Sequence, residues 1–429
     1  MSEYIEICGG VPLNGEVRVS GAKNAVLPMM IASLLTSEEC EFENVPVLRD
    51  VSITAHLLES LGAQVEQVGD RIKVRVPSLN ATEASYSLVK ALRASFWVLG
   101  PLLARGRAAR VALPGGDIIG ARPVDIHLAG LARMGAEIQV KHGIVYAIAP
   151  RGLQAAKVDL RFPSVGATHQ IMMAAALTPG ETVITGAARE PEVSALAKML
   201  CQMGSEIEGA GSSRIVVQGR ESLDGAKVRM IGDRIEAATY LLAAAASDGK
   251  VRVSGFLPSD LGAFLDVLGE IGVDLEQGPD WLELRSTGEL RAVHAATGPF
   301  PELATDIQVL LVAALSVARG ESRVEENVFE GRFGYVAELC RMGAQIKVKE
   351  RVACISGPAK LTGAPVEAMD IRGAAALVIA ALAAEGISRI YEAHHLRRGY
   401  ADLEGKFRAL GARIGTKLVD PEDYAFTGC

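Results

Sequence analysis

The chain has 429 residues, 49% of them hydrophobic, which is room for two or three domains with sizeable cores. Aromatic residues are only 5% while glycines number 45, so those cores must be built from Ala, Leu, Val and Ile. A net charge of −7 excludes a general phosphate-tracking surface for nucleic acid, and any anion site has to be a local gathering of Lys and Arg.

The start, Met1-Ser-Glu-Tyr-Ile-Glu6, has no signal-peptide pattern. The longest apolar run, Gly373–Ala384, is too short to span a bilayer, so no membrane association is expected. The six cysteines are scattered, without a CxxC pair or a His partner at metal-ligand spacing. They read as reduced thiols of a soluble cytoplasmic protein that holds no metal.

Along the chain one phrase recurs: a hydrophobic residue, glycine, a small residue, then an alternating strand. Its glycines are Gly62, Gly135, Gly204, Gly272, Gly343 and Gly411, spaced by 73, 69, 68, 71 and 68 residues. Six repeats of about seventy residues follow. Each begins with a small-residue apolar helix: Val26–Leu35, Phe96–Ala104, Ile171–Leu177, Ala237–Ala246, Ile307–Val317 and Ala374–Ala384. A β-rich stretch comes next, then an amphipathic helix ending at the glycine, then a strand pair such as Glu137–Val140 with Ile144–Ile148. This is a βαβαββ-type repeat with a sheet under two helices.

The first helices are apolar nearly all round and belong inside; the second carry the charges and belong outside. The expected fold is α/β, with sheets outside a helical centre and six repeats divided into two globes of three. Residues 22–231 form one globe; residues 1–21 with 232–429 form the other. Tyr4–Val19 reads as strands that complete the last repeat.

The starts of the first helices fall at equivalent positions: Lys23, Arg93, Gly166–Thr168, Arg234, Thr305-Asp306 and Arg372. The starts of the second add Arg49, Arg122, Arg332 and Arg398. A helix N-terminus attracts anions, so basic residues in that register need an external reason. One such arginine is a surface or capping ion pair; together they predict a cationic cleft for a substrate with several phosphates or carboxylates. The second repeat is longer by a few residues, and the excess falls in the segment Leu113–His127, which carries Asp117 and Arg122. On composition that segment is a solvated turn; beside an anion cleft it predicts a lid, residues 113–123.

These residues resemble the UDP-N-acetylglucosamine enolpyruvyl transferases, or 1-carboxyvinyltransferases. The likeness covers essentially the whole chain. It is carried by Gly15-Glu-Val-Arg-Val-Ser-Gly-Ala-Lys-Asn24, Leu92-Arg-Ala-Ser-Phe-Trp97, Pro114–His127, Pro163-Ser-Val-Gly-Ala-Thr168, Asp233-Arg-Ile-Glu236, Thr305-Asp306, Arg332-Phe333 and Arg398-Gly-Tyr400. It implies the inside-out α/β barrel of that family. It also implies transfer of the enolpyruvyl group of phosphoenolpyruvate to the 3′-hydroxyl of UDP-N-acetylglucosamine, the first committed step of peptidoglycan synthesis, through a tetrahedral intermediate and without a cofactor or metal. Neither substrate class calls for nucleic acid or membrane, and the protein would be a monomer or weak homo-oligomer.

The resemblance also implies roles. Lys23, Arg122 and Arg398 would hold phosphoenolpyruvate, and Asn24 the intermediate. Asp306 would be the base at the sugar hydroxyl and Asp117 the acid on the loop. Arg93, Ser164, Val165, Gly166 and Val328 would contact the nucleotide, with Arg332, Asp370 and Arg372 as support. The departures are Asp117, where the family usually has cysteine, and Arg397, Ala401, Ala304, Gly331 and His169-Gln170. The cysteine is the residue fosfomycin alkylates, so the resemblance implies a fosfomycin-insensitive enzyme. Two alternatives stay open: a secondary-metabolism carboxyvinyltransferase acting on another nucleotide, and a non-catalytic nucleotide-sensing paralogue. The shikimate-pathway relative is disfavoured because its own motifs are absent.

Overall fold

The computed structural model describes residues 3–115, 119–120 and 123–418. Asp117 and Arg122 therefore lie outside the described residues. Two compact units divide the chain: 3–20 with 119–120 and 232–418, and 21–115 with 123–231. They are called here the C-terminal and the N-terminal unit.

In the C-terminal unit three helices, Arg234–Ala246, Thr305–Leu315 and Ile371–Ala383, pack pairwise against one another. Almost every residue on them is buried, as their Ala-rich, apolar sequences require. In the N-terminal unit the equivalents are Lys23–Ala32, Leu99–Gly106 and Val165–Ala176. The second of these departs from expectation, since Arg93–Val98 is a 3₁₀ turn and the α-helix begins only at Leu99. Pro101 explains the boundary: it lacks an N–H and costs least in a first helical turn. Pro28 acts similarly inside Lys23–Ala32, leaving the Asn24 carbonyl without an i+4 amide to accept from.

The six recurring glycines all have left-handed φ, between 85° and 108°. Each stands just past an outer helix (Arg49–Ser60, Asp125–Arg133, Pro191–Gln202, Phe264–Glu270, Val336–Arg341, Leu403–Ala409) and turns the chain into the next strand. The repeat is thus a repeated helix stop.

Six small sheets line the units, five of four strands and one of three, and none closes into a barrel among the described residues. Five of them are a hairpin paired with the strand after the inner helix, and in the sixth a strand from the start of the chain takes the place of one hairpin strand. In five of them a short parallel strand flanks that strand, and in the three-stranded sheet a single bridge from Glu83 to Arg110 takes its place. Tyr4–Val19 does not complete one repeat as expected but two. Strand Glu3–Cys8 lies between Ile387–Tyr391 and Arg413–Leu418 in the sixth, while Asn14–Arg18 runs parallel to Lys250–Ser254 in the fourth. Lys227–Arg229, near the end of the N-terminal unit, returns to pair with Glu39–Glu43 of the first repeat.

A buried ion pair secures the strand that leads out of the C-terminal unit. Glu236 receives Lys406 Nζ at 2.5 Å and the Ser20 amide at 2.8 Å, and Lys406 also donates to Ser20 Oγ at 2.7 Å. Burial pushes the Glu236 carboxyl above its ordinary value, with Lys406 pulling the other way. Lys406→Met should cost about 3–5 kcal/mol at neutral pH, because it leaves a buried carboxylate unpaired. A carboxyl raised on folding binds its proton more tightly in the folded state, so stability falls as pH rises through the interval above its ordinary value. Removing Lys406 raises it further. The deficit of the variant, read from denaturant unfolding, should shrink toward pH 5.

Candidate active site

Asp306 sits in the first turn of Thr305–Leu315, where the helix dipole favours an anion. Its two oxygens are taken by two buried guanidiniums: Arg332 Nη2 to Oδ1 at 2.7 Å and Arg372 Nε to Oδ2 at 3.0 Å. The Arg332 and Arg372 side chains are 2% and 5% exposed, while that of Asp306 is 27% exposed. The carboxylate is therefore fixed through both oxygens while remaining partly exposed. Arg372 lies over the Tyr400 ring, 5.4 Å from its centroid, and the Tyr400 hydroxyl pairs with Thr239 Oγ1 at 2.9 Å. Burial works to lower the Arg372 pKa, but Tyr400, Asp306 and Asp233 outweigh it and hold the value above the ordinary one. Asp370, as N-cap of Ile371–Ala383, accepts the Arg372 and Gly373 amides at 2.9 and 3.1 Å.

Two expected helix starts are corrected. Arg49 does open its helix, but Arg332 stands four residues ahead of Val336–Arg341 and Arg398 lies in the short helix Leu396–Gly399, ahead of Leu403–Ala409. Both sit in the connections that lead to the outer helix, and Arg332 reaches Asp306 from there. Val328, half-buried, occupies the turn after strand Gly320–Glu325.

The N-terminal unit holds a second group. Lys23, the first residue of its helix, is 8% exposed and bonds Asp50 Oδ2 at 2.9 Å; Asp50 is fully buried. Asn24 is beside it, half-buried. Elsewhere in the unit, Ser164 caps Val165–Ala176 by accepting the Ala167 amide at 3.2 Å. Gly166, one residue into that helix, lies against two side chains: an added Cβ would come 2.9 Å from His127 Cε1 and 3.0 Å from Trp97 Nε1. Burial lowers His127 to about 4, the half-buried Arg93 adding to the effect and a Gln170 hydrogen bond opposing it. A neutral ring whose Nδ1 donates to Gln170 Oε1 keeps an acceptor at Nε2. This is a helix N-terminus with a close-fitting floor and a cation beside it, the elements of an anion site. Gly166→Ala should raise the acceptor KM at least tenfold by lifting that first turn off its floor, read from initial rates against acceptor concentration.

Three departures lose their weight in the structure. Arg397 turns to the surface, paired with Glu3 at 2.6 Å and 54% exposed. Ala304 has φ −65°, the value a proline would take, so the helix start keeps its geometry. Gln170 is the partner of His127 described above. Gly331 has a local reason: its amide donates to the Ile119 carbonyl at 3.1 Å, and a Cβ would crowd Ile119 and Gly120. Sequence reasoning missed Asp50, His127 and Glu326. Asp50 could have been found from its place beside Arg49, whereas nothing in Glu325-Glu326 separates a buried carboxylate from a solvated one.

The family described as EPSP synthase (3-phosphoshikimate 1-carboxyvinyltransferase) matches residues 7–407. The chain is 46% identical over 95% of its length, and 97% of the relative's, to a UDP-N-acetylglucosamine 1-carboxyvinyltransferase from Trichlorobacter lovleyi. It is 48% identical to one of the same name from Gloeobacter violaceus, covering 97% of this chain and 91% of that one. Among solved structures it is similar to the enolpyruvyl transferase NikO from Streptomyces tendae, with TM-score 0.88 and 27% identity over 98% of this chain and 100% of that one. It shares its fold with an EPSP synthase from Acinetobacter baumannii, with TM-score 0.76 and 18% identity over 97% and 100%. No described helix is long and apolar enough to cross a membrane. Near-full-length identity close to one half, on a chain with six such sheets around buried helices, places this protein in the EPSP synthase family of carboxyvinyltransferases, among its UDP-N-acetylglucosamine 1-carboxyvinyltransferases.

Proposed function

We propose that the protein transfers the enolpyruvyl group of phosphoenolpyruvate to the 3′-hydroxyl of UDP-N-acetylglucosamine, releasing phosphate, as a cytoplasmic step of peptidoglycan synthesis. The observation that carries this reading is Asp306, partly exposed and oriented through both oxygens by Arg332 and Arg372. That is the arrangement of a positioned base. Asp117 delivers a proton to the methylene carbon of phosphoenolpyruvate. Asp306 takes the hydroxyl proton as the sugar oxygen bonds to C2, giving a tetrahedral adduct. Asp117, left as a carboxylate, then takes a proton back from the new methyl group as the C2–O bond to phosphate breaks, which restores the double bond, and the proton held by Asp306 leaves with the phosphate.

Lys23, Arg122 and Arg398 balance the phosphate and carboxylate of phosphoenolpyruvate, and Asn24 orients the adduct. Arg93, Ser164, Val165, Gly166 and Val328 hold the sugar nucleotide, with the amides of the helix start at Gly166 suited to its diphosphate. Arg332 and Arg372, the latter seated by Asp370, keep Asp306 in place. The chemistry calls on side chains of one chain only, so a monomer or weak homo-oligomer suffices. Asp117 in place of a thiol makes the enzyme insensitive to fosfomycin.

The test is phosphate release by the purified protein. It should require both substrates, and no release with UDP-N-acetylglucosamine present would overturn the reading. A panel of other nucleotide acceptors separates it from a secondary-metabolism activity, which the shared name of the relatives at 46% and 48% identity disfavours.

A further inference from the structure

Beyond the residues given roles above, one fully buried carboxylate stands against the same elements. Glu326 follows strand Gly320–Glu325 and turns its side chain back on its own loop. Oε1 accepts two successive amides, Val328 at 2.8 Å and Phe329 at 2.9 Å. Oε2 accepts the Thr305 hydroxyl at 2.9 Å, and Thr305 is the first residue of the helix that carries Asp306. The Glu326 backbone is fixed as well: its amide donates to the Arg351 carbonyl at 2.8 Å, and its carbonyl accepts Arg351 Nη1 at 3.4 Å. The next amide, that of Asn327, donates to Thr297 Oγ1 at 2.8 Å. One side chain thus ties the Val328 turn and the base helix together, and a carboxylate that accepts three hydrogen bonds can stay dry.

The geometry points to Glu326 as a positioning residue for the acceptor sugar nucleotide, holding the Val328 turn and Asp306 in one fixed relation. This rests on the reading of Asp306 as base and Val328 as an acceptor contact. The Val328 amide is spent on Glu326, so that residue has only its carbonyl and its apolar side chain to offer. The acceptor group that meets it polarly must therefore be an N–H or O–H donor. A base and an acceptor-holding turn that move as one body keep the hydroxyl in reach of the carboxylate, where displacement by about 1 Å costs up to about a hundredfold in rate.

The experiment compares Glu326→Ala, Glu326→Gln and Thr305→Val by steady-state kinetics on both substrates, with thermal unfolding as a folding control. Glu326→Ala should raise the acceptor KM about tenfold or more and leave that for phosphoenolpyruvate within about threefold. Glu326→Gln should restore the acceptor KM to within about threefold, since the amide oxygen can still accept both amides and its NH2 can donate to Thr305. Thr305→Val cuts only the link to the base helix, and should lower kcat about five- to tenfold with the acceptor KM little changed. Equal rises in both KM values, or no rescue by Gln, would overturn the inference. So would an unchanged kcat in Thr305→Val, which decides the matter should Glu326→Ala not fold. If Asp306→Asn is inactive while the Glu326 and Thr305 variants behave as wild type, this inference alone fails; if Asp306→Asn is fully active, the base reading fails first.

Discussion

Asp306→Asn is expected to lower acceptor-dependent phosphate release about a thousandfold, within the range that a positioned general base contributes. The loss has two sources, and the structure separates them. An amide cannot accept the hydroxyl proton, which removes the chemistry. An amide also turns an NH2 toward one of two guanidiniums that each now meet an oxygen, so Arg332 or Arg372 loses its partner while almost wholly buried. Leaving a buried charge unmatched costs about 3–5 kcal/mol. The variant should therefore lose stability as well as rate. Asp306→Glu keeps the charge and shifts it along the chain, and should recover stability more than turnover. Retention of more than about a tenth of wild-type turnover by the folded Asn variant would remove Asp306 from the base role.

Asp117→Cys is expected to create sensitivity to fosfomycin, and the wild type is expected to show none. A thiolate is a strong nucleophile toward an epoxide and a carboxylate a weak one, so the wild type should show no time-dependent inactivation and the Cys variant should. The same substitution keeps a proton donor at position 117, so turnover should survive it, whereas Asp117→Ala should lose about a hundredfold or more. The measurement is residual activity after incubation with the epoxide, followed by the mass of the Cys variant. Progressive inactivation of the wild type would show that some other residue is alkylated.

The six-fold order of the chain could be read from its glycines because each ends an outer helix in a conformation that other residues adopt at a cost, so the marker is physical and regular. Some starts of the inner helices were legible by their distance from those glycines: Lys23, Arg234 and Thr305 open their helices as the register requires, whereas the helix expected at Arg93 begins only at Leu99. The destination of Tyr4–Val19 was not legible. Strand partners are chosen by tertiary packing, and nothing in Asn14–Arg18 names Lys250–Ser254 rather than the sixth sheet. The site divided likewise. Charged residues in an odd register drew notice, whereas His127, Asp50 and Glu326 work through burial, which no local pattern announces. Arg397 taught the converse: a charge reversed beside a site residue proved to be a surface pair with Glu3.

The strand handed back to the start of the chain fixes an order of assembly. Glu3–Cys8 is made long before its two neighbours, Ile387–Tyr391 and Arg413–Leu418. At ~5–20 residues per second the wait is roughly 20–80 s. The N-terminal unit, closed by Lys227–Arg229, can finish meanwhile, while a bare β-strand with Ile5 and Ile7 on one side stays unpaired. Glu3 and Glu6 give that strand its charge, and charge on an unpaired strand is what keeps it from joining another chain. That strand is built to wait.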